Sequence, residues 1–367
     1  MVTNDFPPRV GGVQQYVWNL IRHMPQDRVA VLAPRWPGWR EHDAAQPYPV
    51  GRWPATFLWP TPDLARRVRA MARQHQADVI LFGHGMPLPL LGEQLEGIPY
   101  VALTHGAEVW MAHAPGAARL VRRALRGARG ITAVSGYTAR TIRRVVGPNT
   151  PVSVLSPGVD ADRFTPAVEG GWVRERHALG SRPTVLCVSR LVPRKGQDIL
   201  IRSLPQIRDL VPEATLLLTG TGPHRATLER LADGAPPGSV VFAGEVSDAD
   251  LPAYYAASDV FAMPCRSRWG GLEVEGFGIV FLEAAAAGKA VVGGHSGGAG
   301  EAVVDELTGL LVDGAEPKAV ALACAKLLRF PDLAASFGSA GRSRVETEFT
   351  WPRRAAALMA ILRSAAG

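Results

Sequence analysis

The chain has 367 residues, 47% hydrophobic and 20% charged, the make-up of an ordinary globular protein long enough for two cores. Its formal charge of +7 suits nucleic acid, anionic lipid or phosphorylated ligands, although nearly all of the excess is arginine and lysine occurs only at 195, 289, 318 and 326. Three scattered cysteines, no apolar run of membrane-spanning length and no secretory leader argue against a disulfide scaffold, an integral membrane protein and an exported one, and fit a reduced, cytoplasmic setting.

Met1 to Asp5 read as the end of a strand feeding a glycine loop, so either that strand is a stub or translation starts upstream. Apolar runs and helical periodicity then alternate. Strands are expected at 28–33, 78–82, 99–104, 130–134 and 152–155, and helices at 13–24, 64–74, 117–126 and 136–145. A Pro/Gly/Asp-rich passage, 156–169, marks a boundary. Beyond it strands are expected at 184–189, 215–219, 240–243, 260–263, 290–292 and 309–312. Helices are expected at 197–210, 224–232, 248–257, 280–287, 317–330 and 333–349, with a separate one at 351–363. Such alternation predicts two doubly wound parallel sheets, whose ligands bind at the carboxyl ends of strands.

The stretch Glu275-Gly-Phe-Gly-Ile-Val-Phe-Leu-Glu283 reads as a loop that becomes a helix near Ile279. First-turn amides favour anions, so two carboxylates around them suit a phosphorylated sugar; an ordinary loop entering a buried helix is the other reading. Gly11 and Gly12 precede a helix and would let backbone approach a phosphate, or form a plain turn. Arg190, Arg194 and Lys195 follow an apolar strand. Arg190 and Lys195 could neutralise a diphosphate and Arg194 would face solvent, or all three make a solvated basic turn. His105 ends a strand, as does His84 with a weaker claim. Asp160/Asp162 and Asp248/Asp250 match a DxD metal pattern only formally, in a linker and at a helix start, and no metal role is assigned. Arg66, Arg69 and Arg73 make one basic stripe, and Arg119, Arg122, Arg126 and Arg129 another. With Trp36, Trp39, Trp53, Phe57 and Trp59 they suit an anionic membrane surface, or are solvated faces beside a self-packed loop.

Together these blocks resemble the retaining glycosyltransferases of family 4. The acid–x7–acid spacing, Gly11-Gly12, Ser189-Arg190 with Lys195-Gly196, and Ser296-Gly297-Gly298 before Glu301 occur in the family's order along nearly the whole chain. Val2-Thr-Asn-Asp-Phe-Pro-Pro8, Val188-Ser-Arg-Leu-Val-Pro-Arg-Lys-Gly-Gln-Asp198 and Cys265-Arg-Ser-Arg268 through Gly276 are similar to the actinobacterial phosphatidylinositol mannoside mannosyltransferases.

The resemblance implies the GT-B fold, with two Rossmann-like domains facing across a cleft: 1–158 for the acceptor, 159–350 for the nucleotide sugar, and 351–367 as a helix returning to the first. It implies GDP-mannose as donor, an anionic mannosylated phosphatidylinositol as acceptor, an α-1,6 product and neither metal nor cofactor; the alternatives are a related family 4 transferase with a UDP-sugar donor or a soluble acceptor, and a non-transferase sugar-nucleotide-binding protein or isomerase on the same fold. It also implies peripheral attachment to the inner face of the plasma membrane, and no nucleic-acid partner. Arg190 and Lys195 would hold the diphosphate, approached by Gly11 and Gly12. Glu283 would take the ribose hydroxyls, and Glu275 with the backbone of Phe277, Gly278 and Ile279 the mannose. His105 would lie beside the reacting sugar, the base near Glu245 and Val246, and the acceptor near Asn4 and Asp5. Two departures stand out: Gly300 replaces the family's usual proline, and Trp269 is bulky where glycine is usual.

Overall fold

A computed structural model describes residues 1–9 and 11–367; Val10, in the glycine-loop segment, lies outside the described residues. The chain divides into two compact units, Met1–Gly158 together with Trp351–Gly367, and Val159–Thr350.

Among the described residues, the first unit has strands β1 (Val31–Pro34), β2 (Val50–Trp53), β3 (Ile80–Phe82), β4 (Tyr100–Thr104), β5 (Gly130–Ala133) and β6 (Val152–Val154). Its helices are α1 (Gly12–Arg22), α2 (Trp39–Ala44), α3 (Pro62–Gln74), α4 (Ala107–His113), α5 (Pro115–Leu125) and α6 (Gly136–Val146). Parallel pairs β1-β2 and β3-β4-β5-β6 are joined through Val2, which bridges Leu32 and Phe82 in parallel. The Val2 N–H donates to Leu81 at 2.8 Å and Leu32 donates to Met1 at 2.8 Å, so the short first strand fills the slot where the strand order reverses. Strand β4 is buried along its whole length, as a parallel strand covered on both faces must be.

The sequence does not foretell β2, α2 or α4. Gly51 and Arg52 depress strand character in β2. Yet Gly51 admits the Met71 side chain, whose sulfur would lie 3.2 Å from an added Cβ. Arg52 is buried because Asp43 takes its Nε and Nη2 at 2.9 and 2.6 Å while Pro34 and Pro7 carbonyls accept the rest at 2.8 Å each. Strand β1 begins at Val31, later than the expected start at 28, because Gln26–Arg28 form a 3₁₀ turn.

The second unit, again among the described residues, has β7 (Thr184–Val188), β8 (Thr215–Thr219), β9 (Val240–Gly244), β10 (Val260–Met263), β11 (Ala290–Gly294) and β12 (Gly309–Val312). Its helices are α7 (Gly171–Arg176), α8 (Gln197–Leu210), α9 (Arg225–Ala232), α10 (Leu251–Ala256), α11 (Ile279–Ala286), α12 (Ala299–Ala302), α13 (Pro317–Arg329) and α14 (Pro331–Glu348). All strands are parallel in the order β12-β11-β10-β7-β8-β9. The order reverses between β7 and β10, the switch point where doubly wound sheets open a crevice for ligands. The alanine run of α11 is there for closeness: it packs against α14, where a Cβ on Gly341 would sit 3.1 Å from Ala285.

The last helix, α15 (Trp351–Ala366), belongs to the first unit and packs on α1, β4 and β5. Trp351 closes it down, stacking edge-on to Tyr16 at 5.9 Å and covering Gly158, which has no room for a Cβ.

Candidate active site

In the second unit the loops leaving β7 and β10 meet at the switch point. Lys195 Nζ lies 2.6 Å from Glu275 Oε2, and both side chains are nearly inaccessible, at 12% and 8%. Burial pushes the Glu275 carboxyl up, but the charges of Lys195 and Arg194, the Lys195 hydrogen bond and the Gly276 amide together hold it below the ordinary 4.5. Glu275 is therefore an ionised acceptor. Arg194, expected in solvent, is half-buried and acts on Glu275.

The backbone around this pair is clamped. Gly196 is left-handed at φ 81°, and a Cβ there would fall 2.1 Å from the Pro264 carbonyl, so only glycine brings the lysine loop this close to the β10 loop. Arg266 donates its amide to Arg194 at 2.9 Å, and its guanidinium forks onto Asp198 at 3.0 and 2.8 Å. Ser296 Oγ accepts the Glu275 amide at 3.0 Å, Gly298 donates to the Glu275 carbonyl at 2.9 Å, and Gly297 at φ 52° has no space for a Cβ against it. Thus Ser296-Gly297-Gly298 fixes the glutamate's main chain.

Arg190 is exposed on the β7 loop, and among the described residues it makes no ion pair. Its carbonyl and the Ser189 hydroxyl both accept from buried Gln197 Nε2, at 3.2 and 2.6 Å, which holds the loop independently of the arginine side chain. Phe277 is buried against Phe349, with centroids 5.9 Å apart, and Gly278 at φ 88° turns the chain into α11, which starts at Ile279.

Glu283, one turn into α11, accepts a 2.7 Å bond from the buried Tyr255 hydroxyl. Burial outweighs that bond and the Arg163 charge and pushes its carboxyl up to about 7, with Asp248 adding to the rise. Glu245 is exposed and Val246 half-buried on the segment that follows β9. The same two DxD segments are used locally: Asp160 accepts the Asp162 and Arg163 amides at 3.2 and 3.1 Å, and Asp248 pairs with Arg163 at 3.2 Å. Because the folded value of Glu283 lies above the ordinary 4.5, its contribution to stability is complete below about 4.5 and is lost as pH rises toward 7. Relative to Glu283→Gln, the wild type is expected to lose about 3 kcal/mol at most between pH 4.5 and 8. Urea unfolding of both at the two pH values checks this; parallel profiles would contradict it.

In the first unit the switch point lies between residues 1–3 and β3. Asp5 follows the first and His84 the second, and Asp5 Oδ2 lies 3.0 Å from His84 Nε2. Gln14 Nε2 also bonds Asp5, and the carboxyl is held low against burial by His84, Arg9 and His105. His105 lies 4.9 Å from His84, ring to ring, and 5.1 Å from Tyr16. Its Nε2 is 2.7 Å from the Gly83 carbonyl, which can only accept, so the proton sits on Nε2. Burial, then the His84 charge, lower its pKa to about 4, so the ring is neutral at physiological pH. Buried Glu108 caps the turn, accepting amides of Gly85, His105 and Gly106 at 3.0, 3.1 and 3.1 Å. Asn4 is committed to backbone: its side chain donates to and accepts from Leu58 at 3.3 and 2.6 Å. Gly11 is the extended N-cap of α1, where a Cβ would strike the Gln14 amide, and Gly12 has open space around it.

Lys195 and Glu275 are therefore brought into contact, with Arg190 on the same loop and Phe277, Gly278, Ile279 and Glu283 on the same entry to α11. Asp5 and His105 gather in the other unit around His84, to which the sequence gave a weaker claim than to His105. Glu108 had a legible signal, three residues after His105 at a helix start. Tyr255, Asp198 and Arg266 had none, because their partners are 28 and 68 positions away. Trp269, the departure from glycine, is exposed and left-handed at φ 50°, the region where glycine is at ease.

The chain matches the family model described as Glycosyltransferase Family 4 over residues 10–163, and that described as Glycosyl transferases group 1 over residues 173–344. It is 43% identical over 371 residues, 99% of this chain and 97% of the other, to the GDP-mannose-dependent alpha-(1-6)-phosphatidylinositol monomannoside mannosyltransferase of Mycolicibacterium smegmatis. It is 39% identical, over 99% and 97%, to the GDP-mannose-dependent monoacylated alpha-(1-6)-phosphatidylinositol monomannoside mannosyltransferase of Corynebacterium glutamicum. Among solved structures it is similar to Anabaena Alr3699/HepE in complex with UDP, with a TM-score of 0.83 at 21% identity over 99% of each chain. It is also similar to sucrose-phosphate synthase from Thermosynechococcus elongatus, with a TM-score of 0.80 at 22% identity over 99% and 98%. These likenesses show the fold, the paired Rossmann-like units of GT-B glycosyltransferases. With both units matched in order and full-length relatives at this identity, the chain belongs to the family 4 glycosyltransferases.

Proposed function

We infer that the protein moves mannose from GDP-mannose to a phosphatidylinositol mannoside-type lipid, forming an α-1,6 linkage with retention of configuration. The observation that carries this reading is the Lys195–Glu275 pair at the switch point of the second unit, in a chain 43% identical end to end to a relative named for that reaction. Breaking the bond between the anomeric carbon and the diphosphate builds negative charge on the leaving oxygen. Arg190 and Lys195 supply positive charge before the reaction begins, where preorganised electrostatics is most effective. That countercharge is why the reading invokes no metal.

Glu275, ionised and anchored, is a hydrogen-bond acceptor for mannose hydroxyls, and its carboxylate is already engaged by Lys195. The acceptor hydroxyl then attacks on the face the diphosphate leaves, and the departing phosphate oxygen takes its proton. His105, neutral near pH 7, orients a hydroxyl rather than donating a proton charge. Glu283, titrating near 7, takes the ribose hydroxyls best when ionised, with Glu245 and Val246 beside the base. The acceptor belongs to the first unit, at Asp5, with Asn4 holding the neighbouring backbone. The enzyme would work at the inner face of the plasma membrane as a peripheral protein. No helix of the described residues is long and apolar enough to cross a membrane.

Calorimetric titration with GDP-mannose, GDP-glucose and UDP-glucose tests the donor. GDP-mannose should bind most tightly, and more tightly at pH 8 than at pH 6; preference for a UDP-sugar overturns the reading. Mass-spectrometric trapping of a mannosyl–Glu275 adduct would overturn the same-face mechanism.

A further inference from the structure

Residues 268–273, on the loop that leaves β10, fold into a small hairpin. Arg268 and Glu273 bridge antiparallel: the Arg268 amide donates to the Glu273 carbonyl at 2.9 Å, and the Glu273 amide donates back to the Arg268 carbonyl at 3.3 Å. Their side chains pair at 2.9 Å. At the tip, Trp269, Gly270 and Gly271 are all left-handed, at φ 50°, 65° and 93°. Glycine takes that region freely, whereas a tryptophan there is strained and persists because the closed hairpin dictates it. Burial does not repay the strain, since Trp269 is 67% exposed. Among the described residues no large hydrophobic side chain is more exposed.

The hairpin stands at the rim of the Lys195–Glu275 site. One hydroxyl ties the two together: Ser296 Oγ lies 3.2 Å from Ser267 Oγ, at the root of the hairpin, and 3.0 Å from the Glu275 amide. Beneath the root, the Arg266 guanidinium is forked onto Asp198. The indole is held in turn. The Arg268 guanidinium lies 4.5 Å from its ring centroid, so a cation fixed by Glu273 covers one face and the other is left to solvent. Lys195 and Glu275 are nearly inaccessible and suit a ligand that is enclosed. An exposed ring above them suits one that arrives from solution. Its chain neighbours are Arg268 and Gly270, so the tip is not an apolar patch of the kind that enters hydrocarbon.

We propose that the open face of Trp269 is a stacking platform for a polyol ring of the acceptor, its mannose or its inositol. The C–H groups along one side of such a ring carry partial positive charge and meet the negative face of the indole. The hydroxyls at the ring's edge stay free for water and polar side chains. The inference rests on the reading of the acceptor as a mannosylated phosphatidylinositol. On that reading the attacking hydroxyl must come within bonding distance of the anomeric carbon that this unit holds, so the ring that carries it passes the rim where Trp269 stands. Trp269 therefore contributes to holding and selecting the acceptor and leaves donor binding untouched.

The test uses the full chain and a deacylated, water-soluble acceptor, glycerophosphoinositol monomannoside. Trp269→Gly should raise the acceptor KM about three- to tenfold. Its affinity for GDP-mannose should be unchanged and its melting temperature within about 3 °C of wild type, because glycine suits this backbone. Trp269→Phe keeps a ring and should recover most of the loss. A merely structural role would move stability and donor affinity instead. A second readout needs no turnover. Fluorotryptophan labelling gives a fluorine resonance for each of the nine tryptophans, and the one missing from Trp269→Phe reports on this ring. It should shift with glycerophosphoinositol or with methyl α-mannoside, the stronger of the two telling inositol from mannose, and stay in place with glycerol phosphate. The proposal is overturned if neither ring-bearing probe shifts it, if glycerol phosphate does, or if Trp269→Gly keeps the wild-type acceptor KM. It is also overturned if the loss appears only with acceptor in vesicles, which would put the indole in a membrane. A wild type that shows the shift but transfers no mannose upholds the platform and sinks the mannosyltransferase reading.

Discussion

Lys195→Met is expected to lower kcat/KM for sugar transfer by about 100- to 1,000-fold. Two losses combine. The ammonium proposed to face the leaving diphosphate is gone, and Glu275 loses the cation 2.6 Å away that keeps it ionised. A buried carboxylate without its partner destabilises by about 3–5 kcal/mol, and here it escapes by taking a proton. The sign of the pH dependence then reverses. In the wild type the Glu275 pKa is held below the ordinary 4.5, so its contribution is present above that value and is lost as pH falls through the folded pKa. In Lys195→Met burial acts unopposed by that charge, the folded pKa rises, and stability falls as pH rises. The double variant Lys195→Met/Glu275→Gln removes the stranded charge. It should regain most of the stability and none of the activity. A double variant with wild-type turnover would contradict the diphosphate role, and a single variant as stable as wild type at pH 8 would contradict the buried ion pair.

Arg190→Ala separates catalysis from folding more cleanly. The side chain is exposed and the loop under it is held by Gln197 through the Ser189 hydroxyl and the Arg190 carbonyl. Truncation removes a guanidinium without moving backbone, so the melting temperature should stay within a degree or two, as for an exposed substitution. The turnover should still fall by about 100-fold, because a charge-assisted donor at a developing oxyanion is worth that much. Comparing kcat with KM sharpens the point. A group that acts on the leaving oxygen lowers kcat, whereas one that only tethers the donor raises KM. A variant with unchanged kcat and raised KM would reduce Arg190 to a binding residue.

Alternating apolar runs and helical periods were enough to read the doubly wound architecture, and the turn into α11 at Ile279 was legible because glycine, a first-turn apolar run and alanines stand together. The acid pair was legible as spacing, but its chemistry was not. Sequence places Glu275 and Glu283 eight positions apart; only the folded chain shows that Lys195 keeps the first ionised while burial lifts the second to about 7. The Arg266–Asp198 fork and the Tyr255 hydroxyl on Glu283 are long-range contacts with no local periodicity to announce them. Strand β2 was hidden for a different reason. A buried arginine and a glycine oppose strand propensity, and only Asp43 and the carbonyls of Pro7 and Pro34 make Arg52 tolerable there. The two arginine stripes show the same limit: Asp63 stands within α3, but Glu96, which pairs Arg69 and Arg73, and Glu93, which pairs Arg123, come from elsewhere in the chain.

The central claim is tested most directly by following labelled mannose from GDP-mannose into the lipid phase of vesicles that carry phosphatidylinositol monomannoside. The account predicts a lipid product heavier by one hexose, sensitive to α-mannosidase, and absent when the acceptor or Lys195 is removed. Release of free mannose with no lipid product, or transfer that proceeds equally well from a UDP-sugar, would contradict it.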